Sequence, residues 1–283
     1  MQFKSSVLAR VLLVLCLACT LLETRGQVIM GLIVDQSTGQ PIAYVNIGVV
    51  GAGVGTVSDD QGMFRLRIDD LPDDAILRYS MLGYQSIDQE LRQVRQAATS
   101  SDHTIRMTSI ALELPQVTVN PRDYKAIRAG NELTRPNLNA GFFYNDLGNE
   151  LGTMVAIKAR PAFVDQVNLH LAYCQYDTIF YRLNIYRTES GQPVERIYSS
   201  PLIIDYRGHQ GEDVYVDLRE SQVLVEDDFL VSLELIRELG EGGLMFCAGF
   251  FKDKTWYRKT SQASWETSNV GIGISVDIRQ EKK

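Results

Sequence analysis

The chain is short of the residues that metal and covalent chemistry use. Its 283 residues include three His and four Cys. No His-Glu-x-x-His or Cys-x-x-Cys arrangement is present, so the common zinc ligand sets are missing. Leu239-Gly240-Glu241-Gly242-Gly243 is rich in glycine, but no Lys-Ser/Thr and no helix follow it, which excludes a phosphate loop. Charge of one sign never runs on, and the net charge is −7, which argues against a nucleic-acid binder. Long apolar runs are also absent, with one exception at the N-terminus.

That exception is Val11 to Leu22, broken only by Thr20 and preceded by Lys4 and Arg10. A basic start followed by a short apolar stretch is the pattern of a secretory signal peptide. Thr24-Arg25-Gly26 puts small residues at −3 and −1, so cleavage is expected before Gln27. An uncleaved anchor needs a longer run, and Glu23 and Arg25 end this one early. A lipid anchor at Cys19 is the other alternative, although Cys16 rather than an aliphatic residue precedes Leu17-Ala18-Cys19. Removal of residues 1–26 takes Lys4, Arg10, Arg25 and Glu23, and moves the net charge to −9. The exported chain then keeps Cys174 and Cys247. A disulfide between them and two buried free thiols are both open.

Downstream, apolar residues alternate with polar ones, the mark of half-buried strands. Ala43, Val45, Ile47 and Val49 alternate with Tyr44, Asn46 and Gly48. Phe64, Leu66 and Ile68 form a second such run, and Ala75, Leu77 and Tyr79 a third. Turn residues separate them at 35–41, 51–55, 59–62 and 69–74. A seven-stranded sandwich over 27–111 is the expectation. Residues 112–149 read as a linker with one strand at Leu114–Val119 and a short helix near Asp123–Ala129. Residues 150–279 alternate again: Val167 to Tyr173, Ile179 to Ile185, Phe229 to Leu235 and Ile272 to Ile278 each put every second residue on one face. This predicts a second, jelly-roll-like sandwich, closed by a tail at 280–283. The fold class is therefore all-β, with two sandwich domains after a signal peptide.

Four stretches of the first domain carry a family resemblance: Gly31-Leu32-Ile33-Val34-Asp35 with Thr38-Gly39-Gln40-Pro41-Ile42, Ala43-Tyr44-Val45-Asn46-Ile47, Gly55 to Phe64, and Ser80-Met81-Leu82-Gly83-Tyr84. The domain resembles the carboxypeptidase-regulatory-like domain, a transthyretin-like sandwich. The resemblance implies an accessory module of secreted proteins and outer-membrane receptors of Gram-negative bacteria. In those receptors it precedes a Leu-x-Glu-Val-x-Val segment, which Leu112 to Val119 is similar to. The residues that follow are too few for a receptor barrel. No peptidase activity is implied.

Asp35, Asp59 and Asp60 lack the spacing and the distal Glu of a calcium loop, and read as turn carboxylates. His170 falls between Leu169 and Leu171 on the polar side of a strand, where solvent exposure explains it. No metal and no cofactor is expected. The candidate ligand-binding residues are Tyr173, Tyr176, Trp256, Tyr257 and Trp265, aromatics beside polar side chains of the kind that stack on sugars. Packing within or around a sheet is the competing explanation. The expected function is that of a non-catalytic binding or scaffold protein of the cell envelope, in the periplasm, outer membrane or cell surface. Its partners would be an envelope protein or glycan, with outer-membrane association open. A hydrolase acting on an envelope polymer or glycan is the alternative, and would use Asp205, His209, Glu212 and Asp213. An exposed sheet edge is a third route to a partner.

Overall fold

The computed structural model describes residues 27–97, 103–111, 124–143, 146–206 and 213–281. The leader, the Leu112–Val119 segment, His209 and Glu212 lie outside the described residues.

The first domain is built from β1 (Val28–Asp35), β2 (Asn46–Val49), β3 (Val54–Val57), β4 (Met63–Arg67), β5 (Ile76–Ser80), β6 (Ile87–Glu90), α1 (Leu91–Ala97) and β7 (Thr104–Met107). One sheet has the order β4-β1-β7, and the other β3-β2-β5-β6. Their inner faces are the alternating apolar sets: Ile29, Ile33, Phe64 and Leu66 from one, Ile47, Val49, Leu77 and Tyr79 from the other. The helix was not foreseen. Its Leu91 and Val94, three residues apart and so on one face, close one side of this core. The acidic turns serve the backbone. One oxygen of Asp35 accepts hydrogen bonds from the Ser37 and Thr38 N–H groups, each at 2.8 Å, and from the Ser37 hydroxyl. These bonds, that of Ser37 foremost, hold the Asp35 carboxyl at about 2. Asp59 accepts from Gln61 and Met63 N–H in the same way.

The second domain has thirteen strands among the described residues: β8 (Tyr124–Gly130), β9 (Asn139–Phe142), β10 (Glu150–Val155), β11 (Ala162–Leu169), β12 (Leu171–Cys174), β13 (Thr178–Glu189), β14 (Gln192–Asp205), β15 (Val214–Asp217), β16 (Val223–Val225), β17 (Phe229–Leu235), β18 (Leu244–Arg258), β19 (Glu266–Ile272) and β20 (Ile274–Glu281). The larger sheet runs β12-β18-β10-β17-β13-β14, with β9 and β19 also paired to β18; the smaller runs β15-β11-β20-β8, with β16 on β11. Every pairing is antiparallel. Ile179, Tyr181, Leu183 and Ile185 of β13 and Phe229, Val231, Leu233 and Leu235 of β17 meet Val167, Leu169, Val276 and Ile278 of the other sheet in one core.

Two upstream assignments change. The expected helix at Asp123–Ala129 is instead the edge strand β8, which pairs with β20 from Tyr124 to Gly130. Ala126, Ala129, Lys125 and Arg128 favour helix, but Ile127 and Ala129 pack on the core and the sheet prevails over local propensity. β9 likewise pairs with β18. Residues 124–142 thus belong to the second sandwich and not to a linker.

Candidate functional site

The outer face of the larger sheet carries the polar half of each alternating strand. In cross-strand register, Arg182 of β13 stands opposite Glu234 of β17, Glu234 opposite Glu150 of β10, and Glu150 opposite Arg258 of β18. The next row holds Asn184, Ser232, Gly152 and Trp256. Such a face ordinarily meets water. Here Glu150, Asn184, Ser232 and Glu234 are all 0% exposed, and Asn46 of the first domain reaches Glu234.

The contact centres on Asn46, at the start of β2. Its side-chain N–H groups donate to Glu234 and to Ser261 Oγ (2.9 Å), and its oxygen accepts from Arg182 (2.6 Å) and Arg196 (2.9 Å). An Asn side chain has two donors and two acceptor lone pairs, so this one is saturated. Glu234 Oε2 accepts from Arg182 Nε at 3.0 Å and from Asn184 at 2.8 Å. Glu234 and Glu150 face each other as like charges, and the Asn184 amide bridges them by donating also to Glu150 at 2.8 Å. Glu150 further accepts from Ser232, from Tyr186 (3.1 Å) and from Arg258 Nε (2.8 Å). Burial pushes the Glu234 carboxyl up, but Arg182, Arg196 and Arg258 outweigh burial and hold it at about 2. Burial drives the Tyr186 phenol up to about 12, so it keeps its proton and donates to Glu150.

Backbone geometry matches this chemistry. Gly48 and Gly55 lie in mid-strand on the docking face, and a Cβ there would come within 2.2 and 2.3 Å of the Ser261 carbonyl oxygen. Their lack of side chains lets the turn after β18 reach the sheet of the first domain. Tyr44 was expected to continue strand alternation. It adopts φ 59° instead, which aims its carbonyl at Arg182 (2.6 Å) and its ring edge-on at Phe180, 5.7 Å between centroids. Val57, Phe180 and Ile236 form an apolar cluster beside the charges.

The aromatic candidates do not converge. Trp265 packs edge-on against Tyr186 at 5.5 Å and beneath the Arg258 guanidinium at 4.9 Å, so it is part of the junction. Trp256 sits on the same strand as Arg258, and the Tyr257 hydroxyl donates to Glu266 at 2.8 Å. Tyr173 is opposite Met245, near the far end of β18. Positions 245 and 256 are separated by roughly 35 Å at the rise of a strand. Tyr176 is buried, with its ring against Gly242.

Tyr173 lines an open hollow of about 570 Å³ with Phe143, Gln175, Met245 and the Glu241–Gly243 turn. Phe143 is 61% exposed. The Tyr173 hydroxyl, the Gln175 amide and the Glu241 carboxylate make no hydrogen bond or ion pair among the described residues.

Cys174 and Cys247 are free thiols, and the disulfide between them is not formed. Cys174 is paired with Leu244, three residues before Cys247 on β18. That separation is about 10 Å along the strand, beyond the roughly 7 Å Cα limit of a disulfide. Burial pushes both thiols up.

His170 is not on a solvated face. It occupies the corner between β11 and β12 at 4% exposure, with Nδ1 2.8 Å from Asp213 and Nε2 3.0 Å from Ser275 Oγ. With Asp213 accepting from Nδ1–H, the Ser275 hydroxyl donates to Nε2. The order resembles an acyl-transfer triad, but Ser275 lies within β20 at 0% exposure and also accepts from Asn168 at 3.3 Å. Of the residues assigned to the hydrolase alternative, Asp213 is here, and Asp205 ends β14.

The family match falls on the first domain. No curated protein matches the chain. A solved structure, "Structure of infectious bursal disease virus Gx strain", aligns over 91% of this chain and 70% of that one, at 7% identity and a TM-score of 0.23, too low to carry an argument about fold. The family model described as CarboxypepD_reg-like domain matches residues 29–119, the span of the β1–β7 sandwich and its four motif stretches. Over residues 29–119 the chain is similar to the CarboxypepD_reg-like domain.

Proposed function

We propose that this protein is a non-catalytic binding or scaffold protein of the cell envelope, exported by its N-terminal leader, in which the CarboxypepD_reg-like domain is a fixed support for the second sandwich. One observation carries this reading: the Asn46 side chain spends all four of its hydrogen bonds on Glu234, Arg182, Arg196 and Ser261. A domain that uses its β2 face to hold its neighbour is employed in architecture there. The binding surface is then on the second sandwich, away from the junction, for an envelope protein or glycan. Capture of partners from envelope extract by the exported form, with a glycan array in parallel, tests the reading. A stoichiometric partner or a saturable glycan supports it, and silence in both arms ends it.

Hydrolysis of an envelope polymer or glycan is the second reading, and the Asp213–His170–Ser275 chain favours it. It requires substrate to reach an enclosed hydroxyl. Product release from envelope polymer that disappears in Ser275→Ala would establish it in place of the first.

A further inference from the structure

We infer that the hollow beside Tyr173 is a binding site for a saccharide that carries no negative charge, a conclusion that rests on the binding-module reading. The volume, about 570 Å³, suits a small ligand. Two features mark it as built. Gly242 has φ 144°, and a Cβ there would come within 2.8 Å of the buried Tyr176 ring. A Cβ on Gly243 would come within 2.8 Å of the Phe142 carbonyl oxygen. The turn is therefore seated by two glycine approaches, and the Gln175 N–H fixes it further by donating to the Gly243 carbonyl at 2.9 Å.

The lining decides the class of ligand. Phe143 and Tyr173 offer aromatic surface, against which the C–H face of a sugar ring can stack. The Tyr173 hydroxyl, the Gln175 amide and the Glu241 carboxylate are unengaged among the described residues. A purely apolar ligand would cover these groups and leave them unpaired, at a desolvation cost that opposes binding. A saccharide supplies hydroxyls to all three. Among the described residues neither Lys nor Arg lines the hollow, so a uronic or sialic acid would bring its carboxylate to Glu241 with no cation among them to offset the repulsion.

The test titrates the full chain with cellotriose, chitotriose, its de-acetylated trimer and trigalacturonate, followed by amide NMR shifts and calorimetry. The expected result is that at least one of the first three moves the Tyr173, Gln175 and Gly243 resonances, and that trigalacturonate does not. Tyr173→Ala should weaken that binding by about tenfold or more, and Glu241→Gln should weaken it while relaxing the exclusion of trigalacturonate. No response at these resonances from any of the first three overturns the inference, as does binding unchanged by Tyr173→Ala. A protein partner captured from extract while the titration is silent leaves the binding-module reading standing and removes the sugar.

Discussion

The junction and the hollow both gather polar side chains on the second sandwich, in opposite states. At the junction, Glu234, Glu150, Arg182 and Arg258 are buried and Arg196 is partly so, and each is bonded within the network that Asn46 joins. In the hollow, Tyr173, Gln175 and Glu241 face an open space without partners among the described residues. Buried charges that are matched hold a structure in one arrangement. Exposed polar groups around an aromatic surface keep their bonding capacity for something else. Residue type alone does not separate the two regions, since both contain Tyr, Glu and Gln or Asn. Satisfaction and burial do.

The sharpest way to break this contrast is to remove a charge from each region. Glu234→Ala leaves the buried Arg182 and the partly buried Arg196 without their carboxylate, and should cost about 3–5 kcal/mol, read as a lower urea midpoint. Asn46→Ala removes the four-bond link between the domains and strands its partners; the expected loss is about 2–3 kcal/mol. The double variant should lose less than the two single losses together, because one network is counted twice. Acid provides a third probe. The folded Glu234 carboxyl sits at about 2, below its ordinary 4.5, so the unfolded chain takes up the proton first. Its stabilisation is therefore complete above that ordinary value and is lost as pH falls toward about 2. Asp35 shares this window, so the comparison is wild type against Glu234→Gln, which should show the shallower acid limb. The smallest effect belongs to the hollow. Tyr173→Ala should change stability by about 0.5 kcal/mol or less, and its consequence should appear in ligand binding.

Much of the fold was legible in the sequence, and the junction was not. The inward faces of β13 and β17 follow directly from Ile179-x-Tyr181-x-Leu183-x-Ile185 and Phe229-x-Val231-x-Leu233-x-Leu235. The intervening Arg182, Asn184, Ser232 and Glu234 look like any solvated face, because alternation says which side a residue is on and nothing about what covers that side. One signal was available: Gly48 and Gly55 stand inside strand patterns, where glycine weakens a sheet unless another backbone comes close. The aromatic candidates went the other way. Tyr173 pairs with one end of β18 and Trp256 stands near the other, and the length of that strand keeps them apart. His170 was misplaced because the chain changes sheets at that residue, so the alternation of β11 does not carry through it.

The central claim is that the junction makes the two domains one cooperative body. Native-state hydrogen exchange measures this directly, through β5 of the first domain and β17 of the second. The expected result is a shared opening free energy for the two strands in the wild type, split into separate values by Asn46→Ala. Separate values already present in the wild type, or no change on removing Asn46, would contradict the account.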